Sequence, residues 1–158
     1  MKTTKTYTVQ EALLKLSKYC TYQDRCHQEI EQKLKEMRMI PQARDEIIGQ
    51  LIKHDFLNEK RFAMNYARGK FNQKHWGKIR IRQELKRRQI TEKLIEKALS
   101  QISEKEYTNK LGLLTQKKFE QFDKNLSMKT KVKLKNYLLY KGFENQLVYN
   151  QIKFLEEA

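Results

Sequence analysis

The feature that most constrains this chain is a helical pattern that occurs three times along its length. Each copy has two aliphatic residues four positions apart and a third apolar residue five or six positions later: Ile30/Leu34/Ile40, Ile81/Leu85/Ile90 and Leu134/Leu138/Phe143. The three leucines are 51 and 53 residues apart. Because residues four apart share one face of a helix, the pattern predicts an amphipathic helix repeated in three similar units.

Two further helices accompany each of these central helices. The preceding helix begins at a polar cap and carries an apolar pair: Thr8 with Ala12/Leu16, Asn58 with Phe62/Tyr66, and Ser103 with Tyr107/Leu111. Glu11 and Glu106, three residues after Thr8 and Ser103, predict capping boxes at two of these caps. The central helix starts eight residues before its leucine, at Cys26, Gly77 and Thr130. The following helix carries Ile48/Ile52, Ile95/Leu99 and Val148/Ile152. We therefore predict three tandem three-helix repeats, at 1–57 (with a short N-terminal tail), 58–102 and 103–158.

The composition supports an all-α fold. Five glycines and one proline in 158 residues leave few helix breakers, and strong helix formers such as Lys, Glu and Leu are abundant. One unit of this size buries little apolar surface, so we expect the units to stack into an elongated, curved array. The alternative is a single irregular helical domain in which the aliphatic pairs recur by chance.

Positive charge is concentrated in the middle of the chain. The formal net charge is +15, and a charge of this size indicates a polyanionic partner, either nucleic acid or an acidic protein surface. Residues 58–102 contain 13 basic and 4 acidic side chains, against 10 and 8 in 1–57 and 11 and 7 in 103–158. The middle unit is therefore the expected binding region.

Within that unit, the segment GKIRIRQELKRRQI at 77–90 is the strongest candidate. On a helix, Ile81 and Leu85 define the buried stripe, and Arg80 and Arg87 then point away from the core. Lys78 and Arg82 flank the core face, where their stems could simply cover apolar residues. The residues predicted to bind a partner or DNA are Lys70, Lys74, Lys78, Arg80, Arg82, Lys86, Arg87 and Arg88.

Just upstream, Trp76 is the single tryptophan of the chain and directly precedes the predicted cap Gly77. It could stack on a nucleic-acid base, although a packing role at the start of the helix is the more common use of such a residue. The third unit has a second basic strip, Lys129, Lys131, Lys133, Lys135 and Lys141, near Tyr137 and Tyr140. Its lysines point in several directions on a helix, so we interpret them as a source of diffuse attraction.

Catalytic chemistry is not indicated by any motif. His27, His54 and His75 are scattered, and no spacing of Cys and His is typical of a zinc site. No glycine-rich phosphate loop occurs, so neither an enzyme nor a bound cofactor or metal is expected. Cys20 and Cys26 form no disulfide framework, and no apolar run approaches the roughly 20 residues that span a bilayer. We expect a monomeric, cytoplasmic protein that does not enter a membrane.

The middle unit resembles the RecX family, bacterial regulators of the recombinase RecA. The resemblance lies in NEKRFAMNYARGK at 58–70, which contains Arg61-Phe62-Ala63, and in Gly77 with the following segment 79–85. The stretches QEIEQKLKEM and KVKLKNYLLYKGF are similar to the equivalent helices of the flanking units. Gln89 departs from the family pattern, which has Gly there as Gly142 is here, and its side chain disfavours a left-handed turn.

The resemblance implies three tandem three-helix repeats, no catalytic activity, and binding in the groove of the RecA filament on single-stranded DNA. It further implies that the bound protein modulates, usually inhibits, the recombinase in recombination, DNA repair and the SOS response. Arg80, Arg82 and Arg87 are the residues expected to contact the filament. The alternative is a free DNA-binding protein, since three-helix units can place a helix in a major groove.

Overall fold

The structure is a computed structural model that describes residues 5–122 and 125–158. These residues form nine α-helices and one π-helical turn, with no strand among them, so the predicted all-α class is confirmed. Residues 1–4 of the predicted N-terminal tail lie outside the described residues. The helices fall into three consecutive groups of three, as the triplicated pattern predicts, although the exact domain boundaries stay a prediction.

The first unit contains α1 (Val9–Tyr22), α2 (His27–Glu36) and α3 (Pro41–Lys53). The capping box predicted at Thr8 and Glu11 is present, and Cys26 is the N-cap of α2. The predicted stripe of α3 was wrong by one position. Ile47 and Leu51 are buried there, whereas Ile52 is exposed, because the face of α3 that packs against α1 and α2 carries Ile47 and Leu51.

The middle unit contains α4 (Glu59–Gly69), the π-turn (Lys70–Lys74), α5 (Lys78–Arg87) and α6 (Glu92–Ser100). Ile81 and Leu85 of α5 and Ile95 of α6 are fully buried, as their spacing predicts. The π-turn extends α4, and Trp76 then leads into α5, whose N-cap is Gly77.

The third unit contains α7 (Glu104–Glu120), α8 (Met128–Lys141) and α9 (Asn145–Glu157). The capping box at Ser103 and Glu106 is confirmed. The predicted start of α8 at Thr130 was wrong: Ser127 is the N-cap, and its hydroxyl accepts a hydrogen bond from the Thr130 amide at 3.2 Å. This helix therefore begins a turn earlier than its counterparts in the other units.

Each central helix ends in the same left-handed turn. Arg38, Gln89 and Gly142, each four residues after its leucine, have φ values of 59°, 61° and 100°. The next amide in each case hydrogen-bonds back to the leucine carbonyl, at 3.0, 3.1 and 3.2 Å. The expectation that Gln89 would disfavour this turn was wrong, because the hydrogen bond and the burial of Ile90 hold it in place. By the same geometry, the apolar position after this turn in the first unit is Met39 and not Ile40, which is exposed.

The apolar core is divided unequally among the units. One cluster lies within the first unit and includes Leu16, Leu34 and Leu51. A second runs through the middle and third units without a break, and it also takes in Cys26 from the first unit. The middle and third units are therefore packed as one body, while the start of α2 attaches the first unit to them.

Candidate functional site

The predicted binding residues of α5 divide between its two flanks. Arg82 and Lys86 lie on the flank toward α6, where they meet the carboxylates of that helix. Arg80 and Arg88 lie on the opposite flank, where their guanidinium groups stack on aromatic rings. The two flanks differ in how far the positive charge is neutralised within the molecule, and this difference decides which side is suited to an anionic partner.

On the α6 flank, the basic side chains are held by ion pairs. Arg82 bonds to both Glu92 and Glu96, and Lys86 lies 3.5 Å from Glu92. These contacts tie the start of α6 to α5. Arg82, expected to contact a partner, therefore has its guanidinium occupied inside the molecule, and the flank as a whole is close to neutral.

On the opposite flank, cationic and aromatic side chains alternate. Arg80 lies between two rings, with its guanidinium carbon 4.3 Å from the centre of Trp76 and 4.7 Å from that of Tyr140. The Lys70 ammonium lies 5.1 Å from Trp76 and 5.4 Å from Tyr66, and Arg88 lies 4.9 Å from Tyr66. We call this arrangement the cation–aromatic ladder; its members, in spatial order, are Tyr140, Arg80, Trp76, Lys70, Tyr66 and Arg88.

Most of the ladder's charge has no acidic counterpart. Among residues 5–122 and 125–158, no carboxylate lies within ion-pair distance of Lys70, Lys74 or Arg80, and the same is true of Lys78. Glu84 is the local exception, since it pairs with Arg87 at 3.3 Å and with Arg88. The ladder and its margin are therefore a net positive surface built on aromatic rings.

The predicted orientations along α5 are only partly confirmed. Arg87 projects into solvent with 75% of its side chain exposed. Arg80 does not project freely: it is half-buried, and it donates a hydrogen bond to the Tyr140 carbonyl at 3.3 Å. Lys78 is also half-buried, with its ammonium 4.8 Å from the Tyr107 ring. The reason is that α8 from the next unit lies against this flank, which a helical projection of one segment cannot reveal.

The ladder crosses a close joint between α5 and α8. The Gly77 amide donates to the Lys141 carbonyl at 2.7 Å, and the Ile79 amide donates to the Gly142 carbonyl at 3.0 Å. The start of α5 thus satisfies its unpaired amides with carbonyls at the end of α8, which aligns the two helix dipoles favourably. A side chain at Gly77 would place its Cβ 2.3 Å from the Gly142 oxygen, so only glycine fits there.

Tyr107 of α7 supports the same joint from beneath. Its hydroxyl accepts a hydrogen bond from the Lys78 amide at 2.9 Å and donates one to Glu144. Its ring packs against Phe143 at 5.2 Å and Phe71 at 6.1 Å between centres. Burial and the Glu144 carboxylate raise the pKa of Tyr107 above its ordinary value, so the hydroxyl stays protonated and can donate.

His75, two residues before Gly77, has a left-handed backbone conformation. It has a φ of 58°, and its Nδ1 lies 3.0 Å from the Lys110 ammonium. Burial, followed by the charges of Lys110, Lys141 and Lys117, lowers the pKa of His75 below its ordinary value. The imidazole is therefore neutral at pH 7, with Nδ1 free to accept a hydrogen bond from Lys110.

A different set of contacts joins the first and middle units. Arg61, from the motif that carried the family resemblance, bonds to Asp24 at 2.9 Å and to Asp55 at 3.0 Å. Asn65 donates a second hydrogen bond to Asp24 at 2.7 Å. A cavity of about 240 Å³ opens beside these contacts and reaches Lys70 at the ladder. The motif therefore holds neighbouring units together at one margin of the basic surface.

Sequence reasoning missed two members of the ladder. Tyr66 was assigned only to the apolar stripe of its helix, and Tyr140 only to the neighbourhood of the lysine strip. Tyr140 is 60 residues from Arg80, and no local spacing connects them. Two further observations concern only the described residues: no group of three or more His, Cys, Asp or Glu side chains could hold a metal ion, and no helix is long and apolar enough to cross a membrane.

Comparison with known proteins finds similar sequences among RecX regulatory proteins. Residues 58–99 match the model of RecX, second three-helix domain. The regulatory protein RecX of Bacillus cytotoxicus is 29% identical over 149 residues, covering 94% of this chain and 55% of that protein. RecX of Bacillus cereus strain B4264 is 29% identical over 141 residues, with 89% and 52% covered. The chain spans about half the length of these curated relatives.

Solved structures give the same result for the fold. The crystal structure of RecX from Lactobacillus salivarius superimposes with a TM-score of 0.83 at 27% identity, covering 95% of this chain and 97% of that one. A second crystal structure of regulatory protein RecX gives a TM-score of 0.81 at 27% identity, covering 92% and 71%. In sequence and in fold, the chain is similar to the RecX regulatory proteins.

Proposed function

We propose that this chain is a non-enzymatic modulator of the recombinase RecA, which it inhibits by binding in the groove of the RecA filament on single-stranded DNA. The observation that carries the proposal is the unneutralised positive surface of the middle unit in a chain similar to RecX regulatory proteins. Lys70, Lys74 and Arg80 have no acidic partner among the described residues, so their charge is available to an anionic groove.

The contacts between the units support the proposed binding mode. The joints described above hold the basic side chains on a rigid, all-helical support, so little ordering entropy is lost when a long anionic partner binds. Nothing in this surface needs to react with the partner: cationic side chains contribute attraction, and a bound chain lying in a filament groove obstructs the exchange of DNA strands. The chain acts in this proposal as a monomer in the cytoplasm, divided into the units 1–57, 58–102 and 103–158.

The test uses two matched pairs of charge reversals and the full-length chain. Lys74→Glu with Arg87→Glu changes two exposed positions at the ladder, and Lys129→Glu with Lys133→Glu removes the same formal charge from the exposed strip on α8. Binding is measured by co-sedimentation with RecA filaments on single-stranded DNA, and inhibition by the DNA-dependent ATP turnover of RecA.

We expect the ladder pair to lose roughly tenfold or more in filament affinity, since like charges at an interface cost several kcal/mol. The α8 pair should lose much less and should recover at low salt, because diffuse attraction is screened. Equal losses of filament affinity in the two pairs would indicate that only diffuse electrostatic attraction contributes to binding. If the parent chain binds bare DNA as tightly as it binds filaments, the protein is a free DNA-binding protein, and the proposal is wrong.

A further inference from the structure

Tyr140 is the most exposed ring of the cation–aromatic ladder and the one whose exposure is hardest to explain by packing. It lies in the last turn of α8, with 70% of its surface open to solvent. Arg80 covers one face of the ring, at 4.7 Å from its centre. With 70% of the residue exposed, most of the rest of the ring faces solvent. A large exposed aromatic ring fixed by a guanidinium in this way is a surface on which another flat group can stack.

The support behind this ring is rigid. Arg80 is stacked between Tyr140 and Trp76, and its guanidinium also bonds to the Tyr140 carbonyl at 3.3 Å. The backbone joint between α5 and α8 fixes both helices beneath the stack. The three layers Trp76, Arg80 and Tyr140 are thus in place before any ligand arrives, and a group that stacks on Tyr140 extends an existing column without reorganising it.

The charges around the ring indicate what kind of flat group would bind. The ammonium of Lys141, the residue after Tyr140, bonds to the Lys74 carbonyl at 3.1 Å, so the end of α8 contacts the π-turn. Neither Lys74 nor Lys141 has a carboxylate within ion-pair distance in the described part of the chain. A ligand with an aromatic face and a negatively charged backbone matches both features, and single-stranded nucleic acid has this combination.

From these contacts we infer that Tyr140, backed by Arg80 and Trp76, is a nucleobase-stacking site, at which Lys74 and Lys141 bind the adjacent phosphates of a single strand. The inference rests on the proposed function for its DNA ligand, and it deepens that function by assigning base contact to the joint between the middle and third units. Stacking of this kind is independent of base identity, since every base has a π face. The site would accept any sequence, as a protein that acts on filaments of varied sequence requires.

The experiment measures binding of the full chain to a fluorescent oligothymidylate of roughly 15 nucleotides at low salt. Trp76, the single tryptophan, supplies a second signal, because a base stacked on Tyr140 extends the column that contains Arg80 and Trp76. Tyr140→Ala removes the ring and Tyr140→Phe retains it. Tyr149→Ala is the matched control, since Tyr149 is a 60% exposed tyrosine on α9 of the same unit.

Tyr140→Ala should weaken oligothymidylate binding about 5- to 150-fold, the range expected from the loss of one base stack. Tyr140→Phe and Tyr149→Ala should bind like the parent. Oligodeoxyuridylate and oligouridylate of the same length differ only in the 2′-hydroxyl and so test whether the sugar matters. Equal losses for both support a general single-strand site, and a loss with oligodeoxyuridylate alone supports one that reads the deoxyribose.

Several results would overturn the inference. They are a parent chain that binds no oligonucleotide, a Tyr140→Ala variant that binds as the parent does, or a Tyr140→Phe variant as defective as Tyr140→Ala. Co-sedimentation with RecA filaments distinguishes a wrong base-stacking site from a wrong proposed function. If Tyr140→Ala loses filament binding but keeps oligonucleotide binding, the ring contacts protein, and the base-stacking site is wrong while the filament proposal stands.

Discussion

Replacing Gly77 with alanine tests the joint on which the ladder is built. The alanine Cβ would lie 2.3 Å from the Gly142 oxygen, where ordinary van der Waals contact begins at about 3.4 Å. The overlap is therefore about 1 Å, and the three nearest atoms, from Gly142 and Phe143, all belong to backbone, which cannot rotate away. Gly77 has a φ of −76°, an angle that alanine adopts easily, so the substitution introduces a steric conflict without backbone strain.

The expected loss of stability can be estimated from the hydrogen bonds that must break or lengthen. Separating α5 from α8 by about 1 Å breaks or weakens the hydrogen bonds from Gly77 and Ile79, each of which contributes about 0.5–1.5 kcal/mol. Relief of the remaining overlap by shifts in a packed core adds about 1–3 kcal/mol. We expect Gly77→Ala to lower the free energy of unfolding by about 2–6 kcal/mol and the melting temperature by roughly 4–20 °C.

The assay is thermal and urea unfolding followed by circular dichroism, with Gly49→Ala as the control. Gly49 lies within α3, and no atom lies within 4 Å of the position of its added Cβ. Alanine there should leave stability unchanged or raise it by about 0.5–1 kcal/mol. If Gly77→Ala melts within error of the parent, or no lower than Gly49→Ala, the close backbone joint does not exist in solution.

Three other properties can be predicted from the structure. Leu85→Ala should lower the free energy of unfolding by about 2–5 kcal/mol in urea titrations, since Leu85 is fully buried, and an unchanged midpoint would contradict the assigned register. Folding lowers the pKa of His75, so the unfolded chain binds the proton more readily than the folded chain. The free energy of unfolding should therefore decrease as the pH is lowered from about 6.5 toward the pKa of the folded state. His75→Asn should make the free energy of unfolding less dependent on pH in this range. Burial raises the pKa of Cys26 to about 11 and that of Cys20 above its ordinary value. Both thiols should therefore react slowly with a disulfide reagent at pH 8 until urea unfolds the chain. Fast labelling of the native protein would refute their burial.

Much of the fold is predictable from the sequence because each unit is specified locally. The capping boxes at Thr8 and Ser103 and the buried leucines Leu34, Leu85 and Leu138 depend on contacts within one or two helices. A period of about fifty residues then repeats those local rules three times. The errors, at α3 and at the start of α8, arose where a second aliphatic pair, Ile47 and Leu51, or an earlier cap, Ser127, competed with the residues that were chosen.

The surface was less predictable, because its arrangement depends on contacts between units. A helical projection correctly separates Ile81 and Leu85 from the charged residues of α5. It cannot show that Arg82 is neutralised by α6 or that Arg80 is covered by Tyr140 of the third unit. These partners come from other helices, and their identity follows only from the three-dimensional packing of the units.

The most direct test of the central claim is hydroxyl-radical footprinting of the chain, free and bound to RecA filaments on single-stranded DNA. Oxidation of exposed rings reports which face is covered. The account predicts that Trp76 and Tyr140 become protected in the bound state, while Tyr22 on α1, with 85% exposure, and Tyr149 stay as reactive as in the free chain. Protection of Tyr22 or Tyr149 with Trp76 and Tyr140 unchanged would contradict the assignment of the cation–aromatic ladder as the binding surface.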